Sequence, residues 1–147
     1  MSLGADVHIN AQRYVFLAPL TIGAAVAATA TTPVTKLAGA AHCQVQAVFL
    51  YGAGGTTTNA YFQTSLDGGL TWIDIMNFSF TTAAATKVSA TSIEVAPAAQ
   101  AFAPSDGGLT ANTVVNGVMG DRFRLKYVTT GTYTGATSLA VYGIVRG

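Results

Sequence analysis

Charge is what this chain has least of. Only 9% of its 147 residues are Asp, Glu, Lys or Arg, against about 25% in ordinary soluble chains. Lys and Glu, which favour solvated helices, are nearly absent, so exposed amphipathic helices have little to be built from. The net charge is +1 and no basic block occurs, which removes the patch or stripe that nucleic-acid binding normally shows. Arg122, Arg124 and Lys126 alternate along one segment, while Arg13, Lys36, Lys87 and Arg146 are scattered. Cysteine is represented once, by Cys43, so neither an intramolecular disulfide nor a thiolate zinc cluster can form. In its apolar run Cys43 reads as a small buried residue.

The scarcity extends to catalytic groups. Nucleophilic catalysis needs a nucleophile, a base and an orienting group, and the only histidines are His8 and His42. His42 adjoins Cys43, but neighbouring residues of a strand point to opposite faces, which spoils that pairing. Asp67 and Asp106 lie in Asp-Gly-Gly turns, where aspartate commonly bonds its own backbone. Asp121 follows Gly120 at a strand start, and Asp74 reads as mid-strand on a solvent or interface face. Zinc, calcium and phosphate-loop motifs are missing. No catalytic, metal or cofactor-binding residue is assigned, and an enzyme is not expected. The apolar stretch from Tyr14 to Ala30 is broken by Pro19 and Gly23, too interrupted for a membrane span. Asp6 alongside Arg13 denies it the positive start of a secretory leader.

What the chain does have is Ala, Gly, Thr and apolar residues, the last making up 50% of it. Its polar positions fall to Thr, Asn, Gln and Ser. A surface so poor in charge resists association weakly, and the expectation is permanent contact with other chains. The length suits one domain.

Period-two patterns dominate. Arg13 to Leu20 suggests a first strand after an irregular arm over residues 1–12, leaving 13–147 as the folded domain. Cys43, Val45, Ala47, Phe49 and Tyr51 share one face of the next clear strand, with Gln44 and Gln46 opposite. Val48 and Leu50 make its far end apolar on both faces, which implies a cover from another element or chain. Asn59 to Leu66 and Thr71 to Met76 flank Asp67-Gly68-Gly69, the best-supported hairpin. Lys87 to Val95, Thr113 to Met119, Asp121 to Thr129 and Ser138 to Arg146 read as further strands, and residues 96–111 as a long loop. Residues 78–85 are ambiguous. About eight or nine short strands with regular turns and no strong helix argue for an all-β sandwich or barrel. The pentapeptide Asp67-Gly68-Gly69-Leu70-Thr71 recurs as Asp106-Gly107-Gly108-Leu109-Thr110. Its flanks do not match, so both copies read as turn chemistry.

Two resemblances follow. Ser65-Leu66-Asp67-Gly68-Gly69-Leu70-Thr71-Trp72 resembles the Asp box, a β-hairpin that recurs in sialidase propellers and is structural there. Ser65, Asp67, Gly69, Thr71 and Trp72 carry it, with Asp67 expected to cap the turn and Trp72 to fold over it. A single copy in a chain too short for a six-bladed propeller supports a hairpin, not sugar cleavage. Trp72, Tyr51 and Tyr61 as a glycan-stacking platform is an alternative to core aromatics.

Residues 63–75, Gly120-Asp121-Arg122-Phe123-Arg124-Leu125-Lys126-Tyr127 and Thr130-Gly131-Thr132-Tyr133-Thr134-Gly135 together resemble small virion proteins of tailed bacteriophages. The resemblance spans roughly Val34 to Arg146. It implies a single-domain antiparallel β-sandwich, jelly-roll-like, that decorates or cements a capsid. The implied partners are the major capsid protein and copies of the chain itself in a trimer or other small ring, with no nucleic acid, membrane or cofactor. The implied location is the outer surface of a virion assembled in the host cytoplasm. Arg122, Arg124 and Lys126 are the candidate partner contacts, and the arm is expected to reach onto an adjacent subunit. A neck or tail subunit and a host-glycan-binding module are the alternatives.

Overall fold

The structure is a computed structural model and describes residues 11–23, 29–97 and 101–147. Alternation of apolar and small polar residues produces strands throughout, and no helix occurs among the described residues. In chain order the strands are β1 (Ala11–Thr21), β2 (Thr29–Thr31), β3 (Thr35–Lys36), β4 (His42–Leu50), β5 (Ala53–Gly54), β6 (Thr57–Ser65), β7 (Ile73–Phe80), β8 (Ala85–Ser92), β9 (Arg122–Thr130), β10 (Tyr133–Thr134) and β11 (Ser138–Arg146).

One sheet runs β1-β11-β4-β8; the other runs β2-β9-β6-β7, with β3 also on β9. Every pairing is antiparallel. Apart from the β6–β7 hairpin, each connection between the main strands crosses from one sheet to the other. That order is a jelly roll. The count reaches eleven because the outer strand of the second sheet is split into β2 and β3 around Pro33, which has no N–H for a ladder. The glycine-rich break after β4 adds β5, paired with β10.

The core lies between the sheets. Phe16 of β1 meets Phe62 of β6 edge to face at 4.8 Å, and Phe49 of β4 stacks on Phe80 of β7 at 4.9 Å. Phe62 also stacks on Phe123 of β9 at 5.6 Å. Cys43, Val45, Ala47 and Phe49 face inward from β4, as do Phe123, Leu125 and Tyr127 from β9. Burial pushes the Cys43 thiol up to about 12, so it stays a protonated, inert core residue.

Four expectations shift. Ala11 and Gln12, assigned to the arm, already pair with Arg146 and Val145 in β1; residues 1–10 lie outside the described residues. The ambiguous Phe78–Phe80 continues β7, because Phe78 and Phe80 both supply core rings. Thr113 to Met119 is not a strand. It crosses the edge of β7 with a single bridge, Val114 to Met76, and its apolar residues serve as cover. Leu50 is 56% exposed, so no described element of the chain covers the far end of β4.

Candidate functional site

The β6–β7 hairpin closes as its residues suggest. One carboxylate oxygen of Asp67 accepts from the backbone N–H groups of Leu70 (3.0 Å) and Thr71 (2.8 Å) and from the Ser65 hydroxyl (2.8 Å). The Ser65 oxygen in turn accepts from the Gly69 N–H at 2.9 Å. Gly69 has φ of 98°, a conformation that only glycine adopts freely, and Trp72 packs beside it. Bonds from Thr71 above all, then Ser65 and Leu70, lower the Asp67 carboxyl from 3.8 to about 2. A carboxyl lowered by folding contributes stability above its unfolded value and loses it on acidification through its folded value. The urea midpoint of Asp67→Ala is therefore expected to trail the parent protein by a constant gap down to about pH 4, then converge on it toward pH 2. A gap that persists unchanged to pH 2 contradicts the cap.

A second polar centre is built on the β7 strand of the same hairpin. Asp74 of β7 was expected on a solvent or interface face; it is 2% exposed. The long β8–β9 loop folds back over the outer face of the second sheet and buries it. Asp74 accepts from the Ser105 hydroxyl and from the N–H groups of Gly107, Gly108 and Leu109, all within 2.8–3.0 Å. Gln63 Nε2 donates to it at 2.7 Å. Successive amides converge on one anion because Gly107 takes a positive φ of 87°. The backbone ladder extends the attachment: Asp74 N–H donates to Ser105 O, Asn77 N–H to Thr113 O and Val115 N–H to Ile75 O.

The basic row lies under this loop. Arg124 Nε donates to Gln63 Oε1 at 2.7 Å and its guanidinium sits 4.3 Å from the Trp72 ring centroid. Arg124 and Lys126 both face Asp106, at 3.4 and 3.1 Å, and Arg122 pairs with Asp121 at 2.8 Å. Burial pushes the Asp106 carboxyl upward, but bonds from Gln63 and Lys126 and the two cations outweigh it and hold the group below its usual value. Arg122, Arg124 and Lys126 thus each have an acidic partner within the chain.

No family model, curated protein or solved structure matches this chain.

The remaining candidates resolve by position. His42 and Cys43 do face opposite ways: Cys43 enters the core, whereas His42 Nε2 lies 3.9 Å from exposed Glu94. No group of three or more potential metal ligands occurs among the described residues. The rings weighed for sugar stacking are engaged internally. Trp72 is 8% exposed under Arg124, Tyr61 is 7% exposed, and the Tyr51 hydroxyl donates to Gly54 O.

The open surface is elsewhere, on the outer face of β1-β11-β4-β8. Cross-strand rows there run Val15–Tyr142–Gln46–Val88 and Arg13–Ile144–Gln44–Ala90, with Val48 beside Thr86 and Ala140. Val15, Val88 and Ile144 are exposed, and the charges of this face, Arg13 and Arg146, gather at one end. Sequence reasoning placed Gln44 and Gln46 here but not the exposed valines and isoleucine, because β1, β8 and β11 meet only in the folded sheet.

Proposed function

We propose that this chain is a non-enzymatic structural protein of a tailed-phage particle that decorates and stabilises the capsid by binding the major capsid protein. The observation that carries this reading is the outer face of the β1-β11-β4-β8 sheet, a broad amide-and-aliphatic surface with its charge confined to one end. Contacts on such a face lose little charge hydration when covered, which suits permanent burial against a shell. The jelly-roll sandwich and the resemblance over Val34 to Arg146 agree with it. Stabilisation works by mass action: a protein that binds only the assembled shell favours the assembled shell. Copies of the chain add to the cover by contacting one another.

The test is binding of purified protein to preassembled shells that lack it, followed by co-sedimentation and heating of the shells. Saturation at a fixed copy number with a more heat-resistant shell is expected. No binding, with rings or tubes formed by the protein alone, would replace this role by that of a neck or tail subunit.

A further inference from the structure

A β-sandwich of this kind has four sheet edges, and each leaves a row of backbone donors and acceptors that invites another strand unless it is blunted. Three edges here are blunted. β1 carries Pro19 and two register breaks, after Val15 and after Leu17. The β2–β3 edge is cut into pieces of three and two residues around Pro33. The edge of β7 is occupied by its own chain, through Ser105, Thr113, Val115 and the Asn112 side chain.

The fourth edge, β8, has none of these devices. From Ala85 to Ala90 it contains no proline, pairs with β4 without a register break, and has no backbone partner other than β4 among the described residues. Its one charge, Lys87, turns inward, where Nζ donates to Ser79 O and to Asn112 Oδ1. The outward residues, Thr86, Val88 and Ala90, are uncharged and exposed, Val88 at 66%.

We infer that β8 pairs antiparallel with β8 of a second copy of this chain, joining two four-stranded sheets into one across a two-fold axis. The occupant follows from the edges themselves. A partner strand must offer an open, uncharged ladder, and among the described residues β8 is the edge that does so. Two-fold pairing satisfies both copies in a single contact and leaves neither edge open for further growth. Antiparallel partners must share a face, so the register is restricted to same-parity pairs. Centring on Lys87 would oppose two like charges, which is unfavourable. Centring on Val88 sets valine against valine, Thr86 against Ala90 and Lys87 against Ser89. The contact also makes the outer faces of the two sheets continuous. This inference names the surface for the self-contact included in the proposed function, and it can fail while shell binding survives.

The experiment is light scattering of the purified full chain coupled to gel filtration, on the parent protein, Val88→Lys and a control, Val15→Lys, on the same face but remote from β8. The parent and the control are expected at twice the chain mass. Val88→Lys, which sets two cations against each other at the axis, is expected to raise the dissociation constant at least a hundredfold and run as a folded monomer. A larger parent assembly that Val88→Lys divides in two supports the same contact. Under oxidation Val88→Cys is expected to give a disulfide-linked pair, because directly opposed residues fall within bridging range; this readout stands even if Val88→Lys misfolds. A monomeric parent, an assembly insensitive to Val88→Lys, or a Val88→Cys protein that does not crosslink overturns the inference. Shell co-sedimentation of the parent protein, run in parallel, separates this result from the fate of the capsid reading, because Val88 itself lies on the face assigned to the shell.

Discussion

Replacing Asp74 with alanine is expected to lower stability by about 3–5 kcal/mol, the range for removing one partner from a buried charged network. Gln63, Ser105, Gly107, Gly108 and Leu109 all direct donors at this carboxylate. Without it they either remain buried and unpaired, at roughly 1–3 kcal/mol each, or the loop leaves the sheet and regains water. The second route is the cheaper and limits the loss. It also uncovers Tyr61, Gln63 and the basic row. Urea unfolding should therefore show the drop, and limited proteolysis should cut residues 104–113 faster than in the parent. Asp74→Asn should fare little better, since its amide N–H₂ would face donors. A change below about 1 kcal/mol, in the range of an ordinary surface substitution, with the loop still resistant to protease, would show that the loop is held by its other contacts.

The second large effect is expected at Phe62. Its ring is fully buried and lies between Phe16, from the opposite sheet, and Phe123, from its own. Truncation to alanine should cost about 3–5 kcal/mol, combining lost transfer energy with the cavity left behind. Collapse is restricted because both flanking rings belong to paired strands. For a domain whose total stability is of the order of 5–15 kcal/mol, Phe62→Ala should be near the limit of folding at 37 °C. Denaturant unfolding at low temperature measures it. A loss under about 1.5 kcal/mol would mean that the two sheets close over the gap more readily than paired strands normally permit.

The legible parts of the fold are those whose instructions are local. β4, the β6–β7 hairpin, β9 and the β11 segment declare themselves because apolar residues alternate and turns carry Asp, Gly or Thr-Gly. The hairpin cap was legible for the same reason: Ser65, Asp67 and Gly69 act within five residues of one another. The loop that covers the second sheet was not. Tyr61, Gln63, Asp74 and Asn77 are polar or amphipathic residues on the outer face of the hairpin, where solvent is the expected neighbour, yet all are buried, because their cover arrives from a segment about thirty residues beyond β7. Val114 and Val115 look like strand residues for a related reason. They are apolar to cover β7, not to form a ladder of their own.

The repeated pentapeptide makes the point sharply. Its first copy is a carboxylate that gathers the amides of its own turn. Its second copy turns the aspartate toward Gln63, Arg124 and Lys126 and offers its amides to a different carboxylate. The same letters serve as acceptor in one place and donor in the other, and only the surroundings distinguish them.

The position of β11 bears on how the chain is made. The last strand in order lies between β1 and β4, pairing with both. During synthesis the first sheet therefore lacks its centre until β11 has left the ribosome. Until then Phe16, Val45 and Phe49 lack the side chains of β11 beside them, and β4 has one raw edge. The opposite sheet, with its local β6–β7 hairpin, can begin to assemble earlier. Such an order leaves the nascent chain open to aggregation until β11 emerges. Completing the sheet then requires inserting one nine-residue strand between two that precede it in the chain.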